Sequence, residues 1–238
     1  MIRDIYILWL QGFDEAPEVV RLCVRSWKIH NPTWTIHLID ETNLGQYVNL
    51  NEFSEFTEDR ISKTALSDLI RLSILEKHGG LWVDSTLFCV KPLDDWIEDY
   101  YRPENGFVAY ASDPNTELII GSWFLLADIG NLVITKWKAA ALEYCLEAVK
   151  VGKYIGMPNI TLSINTWKTN KFSTSHYFWV HYIFNDLVNS DPQVALIWNS
   201  LTSIEPKLDT SDAHRVSNCA FEPLSASNKE RIDKKIIA

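Results

Sequence analysis

The chain has little with which to staple a fold together. Its 4 cysteines, Cys23, Cys89, Cys145 and Cys219, lie far apart, with no C-x-x-C and no Cys/His pair at zinc-ligand spacing. Such a pattern reads as buried free thiols in a reducing compartment. Positive charge is also short. The 22 Lys+Arg are outnumbered by 31 Asp+Glu, for a formal net charge of −9. This argues against bulk nucleic-acid binding, which needs a cationic surface, and still leaves room for one phosphate site. No apolar run reaches the ~18–20 residues of a membrane-spanning helix. The first twelve residues, M-I-R-D-I-Y-I-L-W-L-Q-G, have too short an apolar part for a signal peptide and lack a small-residue cleavage site; they read as an opening strand. Internal repeats and low-complexity segments are missing as well.

Core-forming residues are plentiful. Hydrophobic content is 47%, with 10 Trp, 9 Tyr and 10 Phe, and 238 residues suit one domain spanning 1–238. Strands are expected at Ile5–Leu10, Trp34–Ile39, Leu81–Val83, Leu87–Val90, Gly106–Ala111 and Leu118–Ala127. Helices are expected from Pro17 to about Ile29, over Lys63–His78, over Asn131–Val149 and over Tyr177–Val188. A short helix is expected at Asn43–Tyr47, one or two helical turns at Leu93–Tyr100, and an irregular tail from Ser200 with a basic terminal helix over Lys229–Ala238. Strands alternating with helices through the first half imply βαβ units and a mostly parallel sheet.

The most informative stretch is Ala65–Cys89. Leu66, Leu69, Ile70, Ile74 and Leu75 form an apolar stripe at helical spacing. Gly79 suits the left-handed position that ends a helix, and Leu81, Trp82 and Val83 read as a buried strand. Two polar features interrupt this packing. Asp68 and Arg71 sit three residues apart, and Asp84, Ser85 and Thr86 sit where the strand emerges. A carboxylate at the carboxyl edge of a sheet stands where open α/β folds bind ligands. A surface ion pair and a turn aspartate account for the same residues without function.

S-D-L-I-R at 67–71, followed by G-G-L-W-V-D-S-T at 79–86, resembles the core of the capsular polysaccharide synthesis family of bacterial glycosyltransferases. That family is similar to glycosyltransferase family 32 and to the glucosyltransferase domains of large clostridial toxins. The likeness extends to I-L-W-L-Q-G at Ile7–Gly12, the Asp14–Ser26 helix, N-P-x-W-x-I-H-L-I-D at Asn31–Asp40, S-W-F-L-L-A at Ser122–Ala127 and H-Y-F-W-V-H-Y-I-F-N at His176–Asn185. It implies a GT-A-like α/β fold, with a mostly parallel central sheet, flanking helices and a helical C-terminal part.

The resemblance also implies roles. Asp68, Arg71 and Asp84 become the catalytic candidates, with Asp68 on donor-sugar hydroxyls and Arg71 on the sugar or the diphosphate. Both chemistries suit the side chains, since a carboxylate accepts from vicinal hydroxyls and a guanidinium presents a planar fork. Trp9, Gln11, Asp40 and Gly80 join them at the donor site, Trp9 as a face for the base. For Asp40 a simple helix cap before Asn43 serves equally well. Trp123, Tyr177 and His181 belong to the acceptor or late site, with His176, Asp113 and Asp128 as further candidates. Asp84, Thr86 and His181 would hold a divalent cation, Mn²⁺ or Mg²⁺. The D-x-D of the relatives reads D-S-T here, so its second position offers a neutral hydroxyl in place of a charge.

The expected activity is transfer of a hexose from a nucleotide sugar, UDP-linked by analogy, to a saccharide acceptor in capsule or surface-polysaccharide synthesis, with retention. Expected partners are that donor and an acceptor carried on a lipid, with no nucleic acid. The expected location is cytoplasmic, with the basic tail offering peripheral contact to the inner membrane surface. The alternative is a non-catalytic nucleotide-sugar or glycan-binding module, motivated by the missing second carboxylate. A glycoside hydrolase would need two carboxylates about 5–9.5 Å apart across a bond, and leaves Arg71 and the Gly pair unexplained.

Overall fold

A computed structural model describes residues 1–111, 118–156, 177–202, 204 and 213–215. Seven strands are described: β1 (Asp4–Leu8), β2 (Thr35–Ile39), β3 (Gly80–Val83), β4 (Leu87–Cys89), β5 (Phe107–Ala111), β6 (Ile120–Ala127) and β7 (Ala213–Arg215). The helices are α1 (Glu18–His30), α2 (Lys63–His78), α3 (Ile97–Tyr100), α4 (Leu132–Lys150), α5 (Trp179–Ser190) and α6 (Pro192–Ser200). Short 3₁₀ turns cover Leu44–Gln46, Leu50–Phe53 and Leu93–Asp95.

Five strands form one sheet in the order β2-β1-β3-β6-β5. β1 runs parallel to both β2 and β3, and β6 is antiparallel to β3 and β5, so four strands point one way and β6 the other. This is the mostly parallel α/β sheet that the alternation of elements implies. β4 and β7 make a separate antiparallel pair.

Alternation along the strands divides the core. Ile5, Ile7, Leu81, Val83, Phe124 and Leu126 face α1, against Val24 and Trp27. Tyr6, Leu8, Trp82, Leu125 and Ala127 face the other way, against α2, α4 and α5. α2 differs from the expected amphipathic stripe. Asp68 through Leu75 is buried without a break, because α4 and α5 cover the side that a surface helix would leave wet. Asp68 and Arg71 are therefore core residues, and their surface-pair reading fails. α6 was not expected; Asp191 caps it, accepting from Gln193 N and Val194 N, with Pro192 at its first position.

The join between α2 and β3 is tight. Gly79 closes the helix at φ 64°, donating to Leu75 O at 2.9 Å. Gly80 follows at φ 87°, and a Cβ there would stand 2.7 Å from Asp4 O. The Gly pair thus lets β3 turn directly beneath α2 and lie against β1.

Candidate active site

From β1 the chain passes to β2 on one side, and β3 lies on the other. The carboxyl ends of β1 and β3 therefore flank a topological switch point, where open α/β sheets leave a crevice. A cleft of roughly 320 Å³ opens there. Three segments line it: Leu8–Gln11 after β1; Trp82, Asp84, Ser85 and Thr86 at the end of β3; and Lys63, Thr64, Ser67 and Arg71 from α2, with Tyr177 closing the edge.

Arg71 organises the floor. One terminal nitrogen reaches Asp68 Oδ1 at 3.1 Å and Asp84 Oδ1 at 3.2 Å. The other donates to Ser122 O and Ser122 Oγ, both at 2.6 Å. Its guanidinium carbon lies 5.2 Å from the centre of the Trp82 ring, a cation–π distance. Trp82 Nε1 in turn donates to Asp84 Oδ1 at 3.0 Å, and Asp84 N donates to Trp123 O at 2.9 Å. Asp84 is thus held from both sides of the sheet edge. Side-chain exposure separates the two acids: 8% for Asp68 against 31% for Asp84, so Asp84 alone meets the cleft.

The charges do not balance when both acids are ionised, since one guanidinium faces two carboxylates. Burial pushes the Asp68 carboxyl up to about 7; Arg71 opposes the rise and Asp84 adds to it.

Not every sequence candidate arrives at the cleft. Trp9, Gln11, Arg71, Asp84, Thr86 and Tyr177 line it, and Asp68 lies beneath it. Asp40 does not; its carboxylate accepts from Thr42 N, Thr42 Oγ1 and Asn43 N, the capping role, and these bonds lower its pKa. Gly80 shapes the backbone one strand-length away from the opening. Trp123 points into the core on the α1 side, its ring 4.5 Å from that of Tyr110. His181 sits on α5 with its ring 5.5 Å from Phe178, outside the lining. Asp128 accepts from Tyr101 OH at 2.8 Å. His176, Asp113 and the Lys229–Ala238 tail lie outside the described residues.

Sequence reading missed Lys63, Thr64, Ser67 and Ser122. A signal for two of them existed: Thr64 and Ser67 recur with Arg71 at i, i+3 and i+7, one polar face of the helix. Ser122 carried no such mark, because it meets Arg71 across 51 residues of sequence.

Among the described residues no three of His, Cys, Asp and Glu gather as metal ligands. Of the residues expected to hold a cation, the cleft lining includes one carboxylate and one neutral hydroxyl, Asp84 and Thr86. That donor set suits a hard divalent cation only as a partial shell, the rest coming from substrate oxygens and water.

The family model for capsular polysaccharide synthesis proteins matches residues 1–237. The chain belongs to that family. The S-D-x-x-R and G-G-x-W-x-D segments of this chain, which carry its resemblance to the capsular polysaccharide synthesis family, are those that build the cleft floor. Among curated proteins the chain is 30% identical to O-glycosyltransferase braB of Annulohypoxylon truncatum over 152 residues, 57% of this chain and 36% of braB. It is 25% identical to glycosyltransferase afumC of Aspergillus fumigatus over 152 residues, 57% of this chain and 38% of afumC. The chain thus spans little more than a third of the length of these relatives. The solved structure of PaToxG glycosyltransferase aligns at a TM-score of 0.45 and 14% identity, covering 99% of this chain and 85% of PaToxG. The apo-form glycosyltransferase GlyE of Streptococcus pneumoniae TIGR4 aligns at 0.40 and 13%, covering 99% and 64%.

Proposed function

We propose that the protein is a glycosyltransferase that moves a hexose from a nucleotide sugar, UDP-linked, to a hydroxyl of a saccharide acceptor, with retention, in the assembly of capsular or related surface polysaccharide. The observation that carries this reading is the cleft at the β1/β3 switch point, where one rigid floor presents Asp84 and Thr86 and the β1 turn presents Trp9. Both O-glycosyltransferase braB and glycosyltransferase afumC favour it by name.

In transfer the bond between the anomeric carbon and the diphosphate oxygen breaks, and its electron pair leaves with the diphosphate. A new bond forms to the acceptor oxygen, whose proton passes to solvent. Trp9, half-buried at the cleft wall, offers a ring face to the base. Asp84, clamped by Arg71 and Trp82, and Thr86 would hold a divalent cation, which would neutralise charge on the departing diphosphate. Arg71 keeps Asp84 at a fixed angle, so no reorganisation is needed when charge develops.

The test is release of nucleoside diphosphate from UDP-, GDP- and CMP-hexoses, with and without Mn²⁺, over a panel of saccharide acceptors. Acceptor-dependent release from a UDP-sugar that Asp84→Ala abolishes supports the reading. Binding without turnover under every condition would reassign the protein as a nucleotide-sugar-binding module.

A further inference from the structure

The cleft's charges are unevenly committed. Among the described residues its lining holds two cations, Lys63 and Arg71, and one carboxylate, Asp84. Both terminal nitrogens of Arg71 are spent internally on Asp68, Asp84 and Ser122, its Nε is buried without a partner among the described residues, and the side chain is 5% exposed. A phosphate could reach its terminal nitrogens only by displacing Asp68, Asp84 or Ser122 from them. Lys63 is different. Its side chain is 46% exposed, and its two ion-pair partners stand off at 3.8 Å (Glu41) and 3.5 Å (Glu58), themselves 62% and 86% exposed. Long pairs between exposed groups contribute little and exchange readily. Thr64 and Ser67 bring hydroxyls to the same wall.

We propose that Lys63, with the hydroxyls of Thr64 and Ser67, binds the diphosphate of the donor, and that Arg71 braces the two carboxylates without touching phosphate. The inference rests on the nucleotide-sugar reading and narrows it. It divides the cleft lining into an acidic part at Asp84–Thr86 and a cationic part at the first turn of α2. A donor lying between them would place its phosphates toward α2. Among the described residues, Lys63 is the only cation of the lining that can gain a phosphate without giving up a buried partner. Its long stem and three rotatable donors suit a ligand that must be released after each turnover.

The experiment is calorimetry on the whole chain in Mg²⁺ buffer, with UDP, GDP, uridine and inorganic pyrophosphate as probes. Lys63→Ala should weaken UDP and pyrophosphate by about tenfold or more and leave uridine unchanged, while Lys63→Arg stays within about threefold of wild type. Glu58→Gln separates binding from tethering: it removes an ion pair and keeps the cation, so its affinity should equal or exceed that of wild type. If Lys63→Ala binds the diphosphates within about twofold of wild type, or if Glu58→Gln is as weak as Lys63→Ala, the assignment is overturned while the donor reading stands. A wild-type chain that binds neither nucleoside diphosphate nor pyrophosphate overturns both together.

Discussion

Arg71 and Asp68 show how far context changes the worth of an ion pair. On a helix surface an i,i+3 pair contributes about 0.2–0.5 kcal/mol. Here both side chains are buried, and removing one partner strands the other in the core. Arg71→Ala should therefore cost about 3–5 kcal/mol in urea unfolding, because Asp68 would keep no cation and Asp84 would lose its clamp. Arg71→Lys should also lose both stability and transfer activity, since one ammonium cannot span Ser122 and two carboxylates. Asp68→Asn tests the shifted carboxyl. Folding raises its pKa from the usual value near 3.9 to about 7, so between these limits the native state binds a proton that the unfolded chain has released. The contribution of Asp68 to stability is then greatest below about pH 4, falls as pH rises toward 7 and levels off above it. The unfolding free energy of wild type minus that of Asp68→Asn should fall over that window. A difference that stays flat from pH 4 to 8 would mean that Arg71 keeps Asp68 ionised throughout.

At the scale of elements, the unit that matters is α2, the Gly pair and β3. It was legible because its signals are local: the helix Lys63–His78 follows from its apolar spacing and from Gly79 as terminator, and the strand follows at once; the structure adds Ser62 as N-cap, accepting from Ala65 N. The motif residues lie within it in linear order. What stayed hidden depends on distant chain. Ser122 reaches the floor from β6, β4 pairs with β7 across more than a hundred residues, and the side of the sheet on which Trp123 falls depends on register. Asp40 looked equally like a cap and a ligand because its residue type serves both, and only its bonds to Thr42 and Asn43 decide where it is spent. The Gly pair permits a direct test. At Gly80 an added methyl meets both a left-handed φ of 87° and the Asp4 carbonyl oxygen, a backbone atom that cannot move aside. Gly80→Ala should lower the unfolding free energy by about 2 kcal/mol or more, beyond the ~1 kcal/mol of backbone strain alone. Because β3 carries Asp84, activity should fall further than the loss of folded protein explains. A variant with a wild-type urea midpoint would show that β1 and β3 can shift apart freely.

The whole molecule joins these parts through one sheet with both faces covered. Trp27 on one side and Trp82 and Trp137 on the other are fully buried, so the strands that end at the cleft are anchored along their length. Among the described residues no helix is long and apolar enough to cross a membrane. A cleft built from three separate segments exists only when the sheet is assembled, so its ligand binds the native state alone. At a free concentration a hundredfold above Kd, such a ligand adds about 2.7 kcal/mol to stability. For a chain of this size each kcal/mol moves Tm by about 2–4 °C, so a saturating donor should raise Tm by about 5–10 °C. Asp84→Ala separates ligand from scaffold. The side chain is partly exposed, and its removal leaves Arg71 paired with Asp68 and Ser122, so the unliganded Tm should drop by only a few degrees. The donor-induced rise should shrink to near zero if Asp84 holds the donor or its cation. Differential scanning fluorimetry of both proteins over a UDP-sugar series with Mg²⁺ measures the two effects at once. A full rise retained by Asp84→Ala would place the donor elsewhere in the cleft and leave Asp84 as a turn residue at the end of β3.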